Sequence, residues 1–232
     1  ERKRRIFRGV KEKIIMTRWE KFIEQHGYQF FQFGIAAEEI NKKDFDWLKK
    51  ECAKAKKKGV PFNNTLIGHI KEEYKMPGIN ESLHTYLCAV ASTHKNFEHF
   101  NKKLNILSEN RPLYLHSFWV NYQKKHEFNP IHDHDGIYSF VIFVNIPYDL
   151  TEEENYFADV SVKESKSEIQ TSKFNFVNIG PDGKIVSTIA QVDKSFEGKM
   201  FMFPSKQMHL VYPFYTSDDY RITVSGNIKI KV

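Results

Sequence analysis

The hydrophobic period of this chain changes once, at Pro112, and that single change limits what it can fold into. Before it, apolar residues recur at helical spacing. Phe45, Leu48, Cys52 and Ala55 fall at i, i+3, i+7 and i+10, and Gly59 follows a lysine run, the pattern of a helix and its C-terminal stop. Leu83, Leu87, Val90, His94 and Phe97 mark a second amphipathic helix, entered through Pro77-Gly78. A lone histidine on such a stripe, as His94 is, reads as a satisfied core residue. After Pro112 the period is two, and segments 113–122, 137–146, 157–162, 174–179, 185–190, 199–203, 208–212 and 220–230 read as strands. Gly180-Pro181-Asp182-Gly183 is a turn between two of them. About eight strands after a helical half make the fold mainly β with N-terminal helices (α+β). A jelly roll with helices packed on one sheet is the architecture expected. The 20 Phe and 11 Tyr favour an aromatic-packed β interior, and the polar stretch 163–173 reads as a mobile loop.

The net charge of +6 is concentrated at one end. Residues 1–13 hold seven Lys/Arg against two Glu, a balance of +5, so residues 14–232 carry only +1. Residues 1–16 are expected to form a basic, solvated leader, and contact with nucleic acid is expected only through that arm, because phosphate binding needs clustered Lys/Arg. The longest apolar run, 140–144, is far too short for a membrane span. The basic start has no apolar segment after it, so no signal peptide is read there. Cys52 and Cys88, without metal or redox spacing, read as thiols of a reducing compartment, hence a cytoplasmic protein.

The chemistry lies in the β half. In a strand, residues i and i+2 share a face, so His132 and His134 can reach one cation together while Asp133 and Asp135 face the opposite way. His209 lies 75 residues beyond His134 on another strand, which an antiparallel double sheet can bring alongside. Imidazoles suit iron, copper and zinc, and three of them leave positions open for substrate and oxygen. Asn129-Pro130 ends the segment before this pair, and Gly136 allows a close turn after it. Twelve positions past His209, Arg221 alternates with Thr223 and Ser225. A guanidinium fork matches a carboxylate, and a hydroxyl beside it adds a fixed hydrogen bond. Such a pocket can anchor the far carboxylate of a 2-oxo diacid whose keto-acid end chelates the metal. Trp119, Asn121 and Tyr138 are placed as pocket-lining candidates, with His116 and His126 read as structural.

The runs LIGHIKEEY (66–74), SFWVN (117–121), NPIHDHDGIYSFVIF (129–143), MFMFPSKQMHLVYPF (200–214) and YRITVSGNI (220–228) together resemble the 2-oxoglutarate/Fe(II)-dependent oxygenases. They are similar above all to the branch common in marine bacteriophages. That resemblance implies a double-stranded β-helix core and a metal that is Fe(II). It also implies 2-oxoglutarate as co-substrate, O2 as oxidant, and a hydroxylase that couples decarboxylation to oxidation of an unspecified substrate. His132 and His209 match the family's first and last metal positions, and Arg221 matches its co-substrate arginine, with Thr223, Asn121 and Tyr138 as the accompanying cofactor-binding candidates. One departure matters: most of the family has His-x-Asp where this chain has His132-x-His134. Face geometry favours His134 as the third ligand, with Asp133 or Asp135 as alternatives if the strand bulges. Two rival readings remain: a three-histidine, cupin-like dioxygenase needing no 2-oxoglutarate, and a non-catalytic jelly-roll binding module of a virus. The expected organisation is a leader over 1–16 and one oxygenase domain over 17–232. In that domain 17–110 is helical support and 111–232 is the β core, and the setting is the host cytoplasm if the chain is viral.

Overall fold

The computed structural model describes residues 16–108, 112–158, 169–180 and 182–231. The expected leader thus lies outside the described residues except for Met16, as does 163–168 of the expected loop. Capping chemistry sets the helical half. In α2 (Lys42–Lys58), the Asn41 side chain accepts from the Asp44 N–H, and Gly59 ends the helix in the left-handed region at φ 64°. The buried Asp44 carboxylate accepts from Asn80 Nδ2 at 3.0 Å and Ser82 Oγ at 2.8 Å, tying the start of α2 to that of α3 (Glu81–Thr93). Helices α1 (Arg18–Phe33) and α4 (Glu98–Ser108) complete this half. His94 caps α3 and pairs with Glu38 at 3.3 Å, a structural role as expected.

Two edge strands, β1 (Ala36–Glu39) and β2 (Glu73–Lys75), lie inside the region read as helical. They join β3 (Leu113–Gln123), β5 (Tyr138–Asn145), β8 (Lys199–Pro204) and β10 (Arg221–Ile230) in a six-stranded sheet of order β1-β8-β5-β10-β3-β2. The second sheet has the order β4-β9-β6-β7, from β4 (Asn129–His132), β9 (His209–Val211), β6 (Phe174–Ile179) and β7 (Ile185–Ala190). The named pairings within both sheets are antiparallel, as in a jelly roll.

Side-chain alternation divides the core in two. Met200, Met202, Phe140 and Ile142 face the helices with Leu48, Leu83 and Leu87. Phe201, Phe203, Val141 and Phe143 face the smaller sheet with Phe174 and Phe176. The predicted strand over 157–162 is not found in its described part. Asp149 caps a short helix α5 (Leu150–Tyr156), and residues 157–158 form a turn. The aromatic run that suggested a strand is used instead against Tyr215, whose ring lies 5.0 Å from that of Tyr156 and 4.9 Å from that of Phe157.

Candidate active site

Strand pairing assembles the three histidines. His132 closes β4 and His209 opens β9, and the two are direct partners in the ladder. His134 follows two residues later, and its N–H donates to the Ser205 carbonyl at 2.8 Å, which holds the tail of β4 against the turn entering β9. Gly136 turns the chain away at φ 112°, where a Cβ would stand 2.7 Å from the Ile228 carbonyl oxygen. Ring centroids are 4.2 Å apart for His132 and His209, 4.9 Å for His132 and His134, and 5.1 Å for His134 and His209. One ligand atom from each lies within 4.8 Å of the others.

The protonation of these rings follows from their surroundings. His132 Nδ1 lies 2.7 Å from the Pro130 carbonyl, and His209 Nδ1 lies 3.0 Å from that of Gln207. An Nδ1–H donating to each carbonyl leaves the Nε2 lone pair for a metal. Burial is the leading influence that holds all three rings neutral. His134 is pushed down to about 4, and His209 is held well below the ordinary range, with repulsion among the histidines adding to the effect. His132 is lowered by the same desolvation. Phe174 stacks at 5.6 Å from His209 and Phe203 stands edge-on at 4.8 Å, so the distal ligand sits in a dry aromatic wall. Three neutral, preorganised nitrogen donors fit Fe(II).

Arg221, the first residue of β10, is 1% exposed. One of its terminal nitrogens donates to the Ser172 carbonyl at 3.0 Å, while its Nε is buried with no partner among the described residues. A buried guanidinium N–H left without an acceptor fits an anion in the cleft. That cleft is lined by Arg221, Thr223 and Ser225, by Asn121 and Gln123, and by all three histidines. Asn121 Nδ2 donates to Thr223 Oγ1 at 3.1 Å. A wider groove bordered by Phe62, His116 and Lys229 reaches His132 and His134 from the outside.

Asp133 and Asp135 are not brought to the histidines. Both turn outward to Lys206, at 3.5 and 3.9 Å, as strand alternation requires. Tyr138 is a correction. It is fully buried on the helix side of β5, stacked on Phe97 at 4.4 Å, with its hydroxyl donating to Asn101 Oδ1 at 2.7 Å. The inward residues of β5 opposite Thr223 and Ser225 are Phe143 and Val141, so the parity of Tyr138 points it away from the cleft. Sequence reasoning missed Glu73 and Gln123 as lining residues. Glu73 sits in a three-residue strand, too short to show a period of two.

Residues 117–227 match the family described as "Putative 2OG-Fe(II) oxygenase". That segment, which holds the three histidines and Arg221, belongs to the 2OG-Fe(II) oxygenase family. It is therefore an oxidoreductase of a family that uses Fe(II), 2-oxoglutarate and O2. A prolyl-4-hydroxylase from Pseudomonas putida is similar in structure, at TM-score 0.50 and 14% identity, over 92% of this chain and 100% of that one. A 2OG-Fe(II) oxygenase family oxidoreductase from Burkholderia pseudomallei matches at TM-score 0.48 and 11% identity, over 89% of each chain. At these identities the first likeness bears on the double-stranded β-helix fold alone. No curated protein sequence matches this oxygenase, and among its described residues no helix is long and apolar enough to cross a membrane.

Proposed function

We propose that this oxygenase is an Fe(II)- and 2-oxoglutarate-dependent hydroxylase in which His132, His134 and His209 hold the iron and Arg221 anchors the co-substrate. The observation that carries this is the sharing of one cleft by three neutral imidazoles and a buried guanidinium with an unpartnered Nε. When bound, iron and 2-oxoglutarate supply the oxidising chemistry, in which decarboxylation to succinate accompanies the reduction of O2 and the oxidation of the substrate. The chain supplies position and dryness. The Pro130 and Gln207 carbonyls orient His132 and His209. Arg221 presents its fork to the distal carboxylate of the diacid, and Thr223, held by Asn121, adds a hydroxyl beside it. Phe174, Phe203 and Val211 exclude water from the reacting end. With His134 in place of a carboxylate, no ligand charge offsets the dication. Two free thiols, Cys52 buried and Cys88 partly so, suit a cytoplasmic setting.

The test is spectroscopic. Anaerobic Fe(II) with 2-oxoglutarate should give a weak visible charge-transfer band in the wild type, and His209→Ala should abolish it. Absence of the band together with absence of 2-oxoglutarate-dependent succinate formation overturns the reading. The all-nitrogen triad favours one second reading, a three-histidine dioxygenase without co-substrate. Its activity would survive Arg221→Ala, whereas that of a 2-oxoglutarate enzyme would not.

A further inference from the structure

The cleft has two chemically opposite ends, and only one of them is used by the chemistry above. Antiparallel register sets Glu73 opposite Asn121, and Asn121 opposite Thr223. Directly opposed residues share a sheet face, so the three form one row across β2, β3 and β10. All three line the cleft, together with Leu66, Ile67 and Ile70. Glu73 is 2% exposed, and no described residue hydrogen-bonds or ion-pairs with its carboxyl group. Its neighbour in the row is also an unfilled acceptor. Asn121 gives its Nδ2 to Thr223, and its Oδ1 is buried without a partner among the described residues. At the far side of β3 the unfilled group is a donor, the Arg221 Nε. One end therefore lacks an anion and the other lacks a donor.

Leaving a carboxyl group buried without a hydrogen-bond donor is costly, and such a group inside a binding cleft calls for an explanation. Repulsion from Glu127 adds to the desolvation of Glu73, and no described residue offsets it. We propose that Glu73 and Asn121 form a substrate subsite that accepts the ammonium or guanidinium group of a cationic substrate, while Arg221 holds the dianionic co-substrate. This rests on the reading of the site as a 2-oxoglutarate oxygenase. It makes Glu73 a specificity-determining residue that orients the substrate relative to the histidines. It also gives the active site a carboxylate even though its metal ligands include none.

Lysine amide and arginine amide serve as cationic probes, with norleucine amide and citrulline amide as neutral matches of similar shape. The full chain loaded with Mn(II) and 2-oxoglutarate is melted with each probe, and affinities are taken from the shift in Tm. In parallel, probe-stimulated succinate formation is followed in the Fe(II) enzyme. The expected result is that at least one cationic probe raises Tm and stimulates succinate formation where its neutral match does not. Glu73→Gln should weaken that probe about tenfold or more, the effect of losing one hydrogen bond to a charged group, and Glu73→Asp should recover part of it. Equal response to neutral and cationic probes, no response to either cation, or an undiminished response in Glu73→Gln overturns the proposal. Loss of the anaerobic 2-oxoglutarate band in Glu73→Gln would also overturn it, by assigning the carboxyl group to the co-substrate end. If the wild type shows no band, the oxygenase reading fails. A cation-dependent Tm shift that Glu73→Gln removes would still establish the subsite.

Discussion

Replacing Glu73 by glutamine has a consequence for folding that can be worked out with no ligand present. The carboxyl group is buried on β2, and desolvation, helped by Glu127, raises it from an ordinary 4.5 to about 7. The unfolded chain releases this proton near 4.5, the native chain near 7. Between those values the native state holds the extra proton, so stability falls as pH rises. Above pH 7 both states are ionised and the whole penalty is present. At about 1.4 kcal/mol per tenfold, the penalty is roughly 3 kcal/mol at pH 8 and under about 1 kcal/mol at pH 5. Glutamine is nearly isosteric and does not titrate. Glu73→Gln should therefore stabilise the metal-free protein at pH 8 by up to about 3 kcal/mol, or roughly 6–12 °C in Tm for a chain of this size, with a much smaller gain at pH 5. Urea unfolding or thermal melts of both proteins at the two pH values give the comparison. Equal differences at pH 5 and pH 8, or a variant less stable at pH 8, would refute the reasoning.

Two further outcomes follow from named contacts. Arg221→Met removes the charge-assisted hydrogen bonds offered to the co-substrate. Its 2-oxoglutarate affinity, titrated anaerobically through the charge-transfer band, should fall about 100-fold while Fe(II) binding measured by metal analysis persists; unchanged 2-oxoglutarate affinity would contradict the assignment. Gly226→Ala places a Cβ 2.6 Å from the Ser117 carbonyl oxygen and 2.6 Å from Phe140 Cζ, between β3 and β5. The backbone contact cannot yield cheaply, so the variant should lose about 2 kcal/mol or more, and a melt within 2 °C of the wild type, against the roughly 4–8 °C fall expected, would count against that packing.

Much of the β half was legible because a period of two is a local property. Strands β6 and β7 lie over 174–179 and 185–190 as read, and β3, β5, β8, β9 and β10 differ from their predicted spans by a few residues at most. The shared face of His132 and His134 and the outward turn of Asp133 and Asp135 follow from the same rule. The exceptions have physical causes. Aromatics at 156–157 served a ring cluster with Tyr215 rather than a ladder, and β1, β2 and β4, with three or four residues each, show no usable alternation.

Tyr138 and Glu73 mark the limit of sequence reading. Alternation tells which residues of a strand share a face, but not whether that face meets helices or the opposing sheet. In β5 the helices took the face of Tyr138, and the cleft took that of Val141 and Phe143. Glu73 became a cleft residue only through its register against Asn121. The amino-acid sequence by itself determined the change of period, the histidine pair, the arginine with its alternating hydroxyls and hence the class of chemistry, because all of these depend on near neighbours along the chain. Which side chains meet in the cleft, which acceptors remain unfilled and where a buried carboxyl group stands were decided by the tertiary structure, because strand order and register bring together residues far apart in the chain.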